Sequence, residues 1–189
     1  MPRLFTGLEI PKALGESLSL LRGGLPGARW IDPENYHVTL RFIGDVDDDI
    51  AQEIAWLLGK VRRKDFELRL DGLQSFGGRK PRAVIAAVAP SQSVMELQAE
   101  HERLMQRAGL EPEGRKYTPH VTLARLRDTS SFEVAEYLSA RAAFRSRPRN
   151  GPTVHRCSAR PSPRRASCWC CPSCQPCRRV SVRRRSRRA

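Results

Sequence analysis

The tetrapeptide His-Val-Thr-Leu occurs twice in this chain, at His37-Val38-Thr39-Leu40 and at His120-Val121-Thr122-Leu123. Each copy lies in an alternating run rich in β-branched residues, NYHVTLRFIG and TPHVTLARL, and this pattern predicts a β-strand. Residues two apart on a strand project to the same face. His37 and Thr39 therefore leave one strand together, and His120 and Thr122 leave the other. Val38, Leu40 and Phe42 are expected on the opposite face of the first strand, with Val121 and Leu123 opposite in the second. Two of the four histidines open the same motif. A strand that is apolar behind and His/Thr in front, made twice, presents two imidazoles and two hydroxyls to a polar ligand.

The order of elements predicts an α+β protein of two pseudo-symmetric lobes, each an antiparallel sheet with outer helices, around a central cleft. Arg3 to Ile10 reads as a strand, followed by a helix carrying Leu14, Leu18 and Leu21. Ala28 to Ile31 is a short extended piece. Asp47, Asp48 and Asp49 open a helix whose stripe is Ile50, Ile54, Leu57, Leu58 and Val61. Acids at a helix start complement its dipole, which explains the three aspartates without a metal ion. Phe66 to Leu70 and Ala83 to Val88 read as strands, with FGGRKP between them as a basic-tipped turn. Ser93 with Glu96 forms a capping box for a helix to about Ala108. His101 falls on its apolar stripe and is read as a packing histidine. Ser130 with Glu133 caps a last helix to about Ala140.

Charge divides the chain sharply. All 20 acidic residues lie at or before Glu136, with 19 of the 34 lysines and arginines; the other 15, and all six cysteines, lie beyond it. From about Pro148 the sequence is Arg, Pro, Ser and Cys without apolar periodicity, and it is expected to be disordered. Cys168, Cys171, Cys174 and Cys177 are spaced by three, but no scaffold accompanies them, so no metal site is expected there, nor any role for His155. No apolar run approaches the length of a membrane span, and the opening residues lack the apolar stretch of a secretory signal. A soluble cytoplasmic protein, monomeric and not membrane-associated, is the expectation.

The two H-x-T strands resemble those of the two-histidine phosphoesterase superfamily. RLFTGLEIP, LPGARWIDPENYHVTLRFIGDV, FGGRKPRAVIAAV and KYTPHVTLARL are similar to stretches of the bacterial RNA 2′,3′-cyclic phosphodiesterases, also called 2′-5′ RNA ligases. The likeness runs from about Arg3 to about Arg147. It implies a phosphoesterase domain at 1–147, lacking the strands that would close its second lobe, and an Arg/Cys/Pro-rich tail at 148–189. A shifted reading frame near codon 148 accounts for the change; a genuine basic tail touching RNA phosphates is the second account.

The resemblance implies an enzyme that opens RNA 2′,3′-cyclic phosphate ends to 2′-phosphomonoesters, with 2′-5′ ligation as the reverse. RNA ends or oligonucleotides are the expected partners, and no cofactor or metal is expected. Such a step needs a base, an acid and donors on the phosphoryl oxygens. The motif is symmetric and does not say which histidine is the acid. The family assigns His37 as proton donor and His120 as proton acceptor. Thr39 and Thr122 are candidate donors to the phosphate, Arg125 a candidate cation past the second motif, and Arg41 a weaker one sharing the face of His37 and Thr39. A non-catalytic RNA-binding protein acting through its basic tail, or an inactive truncated product, are the rival readings.

Overall fold

The structure is a computed structural model that describes residues 3–63, 66–144, 153–154 and 166–168, the last two pieces by their backbone alone. In chain order the elements are β1 (Arg3–Glu9), α1 (Lys12–Ser19), β2 (Ala28–Trp30), β3 (His37–Asp45) and α2 (Asp48–Leu58). They continue with β4 (Phe66–Glu67), β5 (Leu70–Phe76), β6 (Ala83–Val88), α3 (Gln92–Arg107), β7 (His120–Leu126), α4 (Ser131–Ala140), β8 (Thr153–Val154) and β9 (Ala166–Cys168). A 3₁₀ turn at Pro33–Asn35 leads into β3.

One sheet runs β5-β6-β7-β3-β1-β9, with β2 also paired to β7. All of its ladders are antiparallel except the one between β1 and β9. It is assembled from two halves. β1 and β3, with the short β2, form one, and β5, β6 and β7 the other; they meet where Val38 pairs with Val121, the centres of the two repeats, and where β2 pairs with the end of β7. The two-lobed antiparallel plan predicted from the element order is thus realised as a single sheet whose halves join through the motif strands.

Side-chain alternation then separates the two faces. Leu8, Val38, Val84, Ala86, Val121 and Leu123 are buried in one cluster with Leu14 and Leu18 of α1, Val94 and Leu97 of α3, and Val134 and Tyr137 of α4. Leu4 joins a second cluster with Ile54, Leu57 and Leu58 of α2 and Met105 of α3. These clusters make the back of the sheet. The front carries Gly7, His37, Thr39, His120 and Thr122, walled by Ala83, Ile85 and Ala87 with Phe76 packed on them. β6 is buried along its whole length because both of its faces are covered.

Several local readings change. The N-cap of α3 is Ser91, whose hydroxyl accepts from the amide of Val94, not Ser93 two residues later. Asp47 holds the N-cap position of α2 without a side-chain capping bond. The long strand before the hairpin is Leu70–Phe76 rather than Phe66–Leu70. A register shift between Leu70 and Leu73, with Gly72 at φ 78°, breaks its alternation and hides it from pattern reading. The capping box of Ser130 and Glu133 is present as expected, and the FGGRKP turn closes the β5–β6 hairpin.

Of the segment after residue 147 the structure describes only two short strands. Thr153–Val154 pairs with β4, and Ala166–Cys168 runs parallel to β1. These five residues are extended and paired where no strand was expected. The remaining expectations for the tail, including the cysteine ladder beyond Cys168 and His155, lie outside the described residues.

Candidate active site

The geometry of the front face follows from the register. With Val38 opposite Val121 in an antiparallel pair, His37 comes across from Thr122 and Thr39 across from His120. The two repeats therefore interlock as a rectangle of His, Thr, Thr and His on adjacent strands. β1 flanks it on one side, with Glu9 opposite His37 and Gly7 opposite Thr39. On the other side β6 sets Ala87 opposite His120 and Ile85 opposite Thr122.

Both imidazoles are held by the same device. Nδ1 of His37 lies 2.8 Å from the carbonyl oxygen of Asn35, and Nδ1 of His120 lies 2.7 Å from that of Thr118. A carbonyl only accepts, so each Nδ1 carries the proton and donates. The neutral ring then keeps its lone pair on Nε2 in both repeats. Ring packing fixes the planes further: Phe5 stacks on His37 at 4.7 Å between centroids, and Phe76 meets His120 edge-on at 4.8 Å.

Electrostatics favour neutral rings in the ligand-free protein. Burial lowers the His37 pKa below the usual histidine value against the opposing pull of the Asn35 carbonyl, and the charges of His120 and Arg125 lower it further. Burial likewise lowers His120, opposed by the Thr118 carbonyl and assisted by Arg125. A phosphate bound between the rings would reverse this bias, because an anion favours the protonated form.

Two β-bulges decide which arginine belongs to the site. On β7, Thr122 pairs with Ile85 but Ala124 pairs with Val84, leaving Leu123 as an extra residue. The shift restarts the alternation, so Arg125 comes opposite Ala83 and stands on the front face with the histidines. Strict alternation would have put it behind. On β3 the same shift occurs one residue after Thr39: Gly7 pairs with Thr39 and Thr6 with Arg41. Arg41 is thereby turned to the helix side. There its Nε lies 2.8 Å from Oε2 of Glu102 and its Nη2 donates to the carbonyl of Glu111 at 2.6 Å. Arg41 does not share the face of His37, contrary to the alternation argument. Phe42 is corrected in the opposite sense: it pairs with Phe5, is 45% exposed, and lies on the front.

His101 is 2% exposed and its Nδ1 lies 3.0 Å from the hydroxyl of Thr6, so it is a packing residue of the back face, as expected. Among the described residues no group of three or more His, Cys, Asp or Glu side chains could hold a metal ion, and no helix is long and apolar enough to cross a membrane. The residues that pattern reading missed are Gly7, Phe5 and Phe76. None belongs to the repeat; only their places within RLFTGLEIP and FGGRKPRAV marked them.

Comparison with known proteins agrees with this geometry. The family model described as "LigT like Phosphoesterase" matches the chain twice, over residues 8–86 and 87–169, each match containing one His-x-Thr strand. The second match runs past the point near Arg147 where the likeness was expected to stop. The RNA 2′,3′-cyclic phosphodiesterase of Aeropyrum pernix is 36% identical over 111 residues, 58% of this chain and 62% of that protein, so the match spans less than two thirds of its length. That of Aquifex aeolicus is 28% identical over 144 residues, covering 72% of this chain and 77% of that protein. The narrower bacterial placement is not distinguished, since the relatives are archaeal as well as bacterial. Among solved structures, E. coli LigT complexed with 3′-AMP superposes with a TM-score of 0.60 at 28% identity, over 69% of this chain and 75% of that one. With one His-x-Thr strand supplied by each half and both halves matched, the chain belongs to the LigT-like, two-histidine phosphoesterase family.

Proposed function

We propose that this protein hydrolyses RNA 2′,3′-cyclic phosphate ends to 2′-phosphomonoesters. The observation that carries the reading is the pair of Nδ1-anchored imidazoles, which leaves an Nε2 on each of two adjacent strands facing one side of the sheet. In-line displacement at phosphorus needs such a pair, one neutral and one protonated. His120, the more exposed ring, accepts a proton from water as the oxygen–phosphorus bond forms. His37, deeper and stacked under Phe5, donates the proton that the leaving 3′ oxygen takes as its bond to phosphorus breaks. Thr39 and Thr122 donate to the non-bridging oxygens, and Arg125 supplies positive charge to them. Each proton is assigned to a side chain, so the scheme calls on no metal ion. Run backwards, with a 5′-hydroxyl in place of water, the same chemistry would join RNA through a 2′-5′ bond.

Adenosine 2′,3′-cyclic phosphate, followed by phosphorus NMR, tests the reading. The expected product is the 2′-monophosphate, and His37→Ala and His120→Ala should each lower turnover by at least about a hundredfold, the reach of general acid–base catalysis. A folded single variant with near-full turnover would remove that histidine from the scheme. A 3′-monophosphate product would overturn the identity of the leaving oxygen.

A further inference from the structure

The front face is electrically lopsided. At the end where β7 finishes and β6 begins, Arg125 stands opposite Arg29 of β2 on one side and Ala83 of β6 on the other. Directly opposite residues project to the same face, so two guanidinium groups share the front as cross-strand neighbours, an arrangement that costs stability when nothing lies between them. Arg79 and Lys80 are exposed at the tip of the adjoining β5–β6 hairpin, the hairpin whose Phe76 rests against His120. Among the described residues no acidic side chain forms an ion pair with Arg29, Arg79, Lys80 or Arg125, whereas Arg22, Arg41, Arg63, Arg69 and Arg115 all have one. The opposite end of the site carries the other sign. Glu9 lies beside His37, and the recess beyond it is lined by Glu9, Glu16, Asp32 and Glu34 with a single base, Lys12, which pairs with Glu16, while Asp32 pairs with Arg22.

A polyanion whose 3′ end sits between the histidines is drawn toward the end where the arginines stand. We infer that the RNA strand on the 5′ side of the cyclic phosphate leaves over Arg125 and places its backbone phosphates on Arg29 and on the Arg79-Lys80 hairpin tip. The inference rests on the phosphodiesterase reading and adds to it the direction in which the strand leaves and the side chains that hold its phosphates. The interactions are with phosphate, so they set affinity and direction without reading bases.

The test uses the full chain, wild type against a triple variant Arg29→Gln, Arg79→Gln, Lys80→Gln, with adenosine 2′,3′-cyclic phosphate and an RNA decamer ending in the same group. The C-terminal arginines are common to both proteins and cancel in the comparison. The decamer-to-nucleotide ratio of kcat/KM should fall at least about tenfold in the triple variant. The salt dependence of decamer binding should flatten by about 2 in its logarithmic slope, about 0.7 for each phosphate that the variant no longer neutralises. A charge-keeping variant, Arg29→Lys with Arg79→Lys, should retain most of the wild-type ratio. A wild-type ratio and slope in the triple variant would overturn the inference. If the wild type opens neither substrate, the phosphodiesterase reading falls, and the track is judged by anisotropy of a fluorescent 3′-phosphorylated decamer. Weaker binding by the triple variant then sustains the track, and equal binding overturns it.

Discussion

A methyl group at Gly7 would sit 2.9 Å from the carbonyl oxygen of Val38 and 3.4 Å from Cδ2 of His37. The first clash is with backbone, which cannot swing aside, and the second is with the ring that the proposed reaction uses. Gly7 is therefore required by the close approach of β1 to β3 beneath His37. Gly7→Ala is expected to destabilise the protein by about 1–3 kcal/mol, the usual cost of overpacking, and to lower turnover by displacing the imidazole. Thermal melting and hydrolysis of the cyclic nucleotide check both effects; a variant that melted and turned over as the wild type does would show that the strands can separate freely here. The anchoring carbonyls act at the same scale. Asn35 and Thr118 each stand two residues before a histidine, and each fixes the tautomer through its backbone rather than its side chain. Nothing about their residue types announces this.

At the scale of elements, the two bulges do more than bend strands. Each follows a His-x-Thr, each restarts the alternation, and each sends a different residue to the front: Phe42 from β3 and Arg125 from β7. The repeats are thus symmetric through threonine and diverge immediately after it. α3 answers on the back face, where His101 is enclosed with its Nδ1 on Thr6 and, among the described residues, no hydrogen-bond partner for its Nε2. Burial holds its pKa down to about 4, with Glu100 raising and Arg63 lowering it. The folded protein therefore resists protonation that the unfolded chain accepts near pH 6.5. His101 contributes no pH dependence above that value; as pH falls from about 6.5 to about 4, it withdraws stability, roughly 3 kcal/mol by pH 4. Melting temperatures of wild type and His101→Gln measured across this window should converge as the pH falls. Parallel curves would show that His101 is not the group being charged.

For the whole molecule, the backbone joins the halves by the Val38–Val121 pairing and by the three pairs between β2 and β7, a short seam if it stood by itself. It is not alone: one buried cluster draws Leu8 and Val38 from the first half and Val84, Val121, Leu123 and Tyr137 from the second. Such sharing predicts one cooperative unfolding transition, with far-ultraviolet circular dichroism and the tryptophan fluorescence of a Trp56→Phe, Trp169→Phe variant, which reports Trp30 packed at 5.8 Å from Tyr137, giving the same midpoint. Two separated midpoints would mean that the lobes unfold independently. The amino-acid sequence by itself determined the common face of the four candidate site side chains, because a two-residue period and a repeated His-x-Thr leave little freedom in a strand. It also determined the helices, whose apolar stripes and the Ser130–Glu133 cap are local signals. Only the tertiary structure decided where alternation fails. Strand register, and with it the bulges that retire Arg41 to Glu102 and bring Arg125 beside the histidines, depends on the neighbouring strands. So does the opposition of Arg29 to Arg125, since pairing joins residues that no local pattern relates.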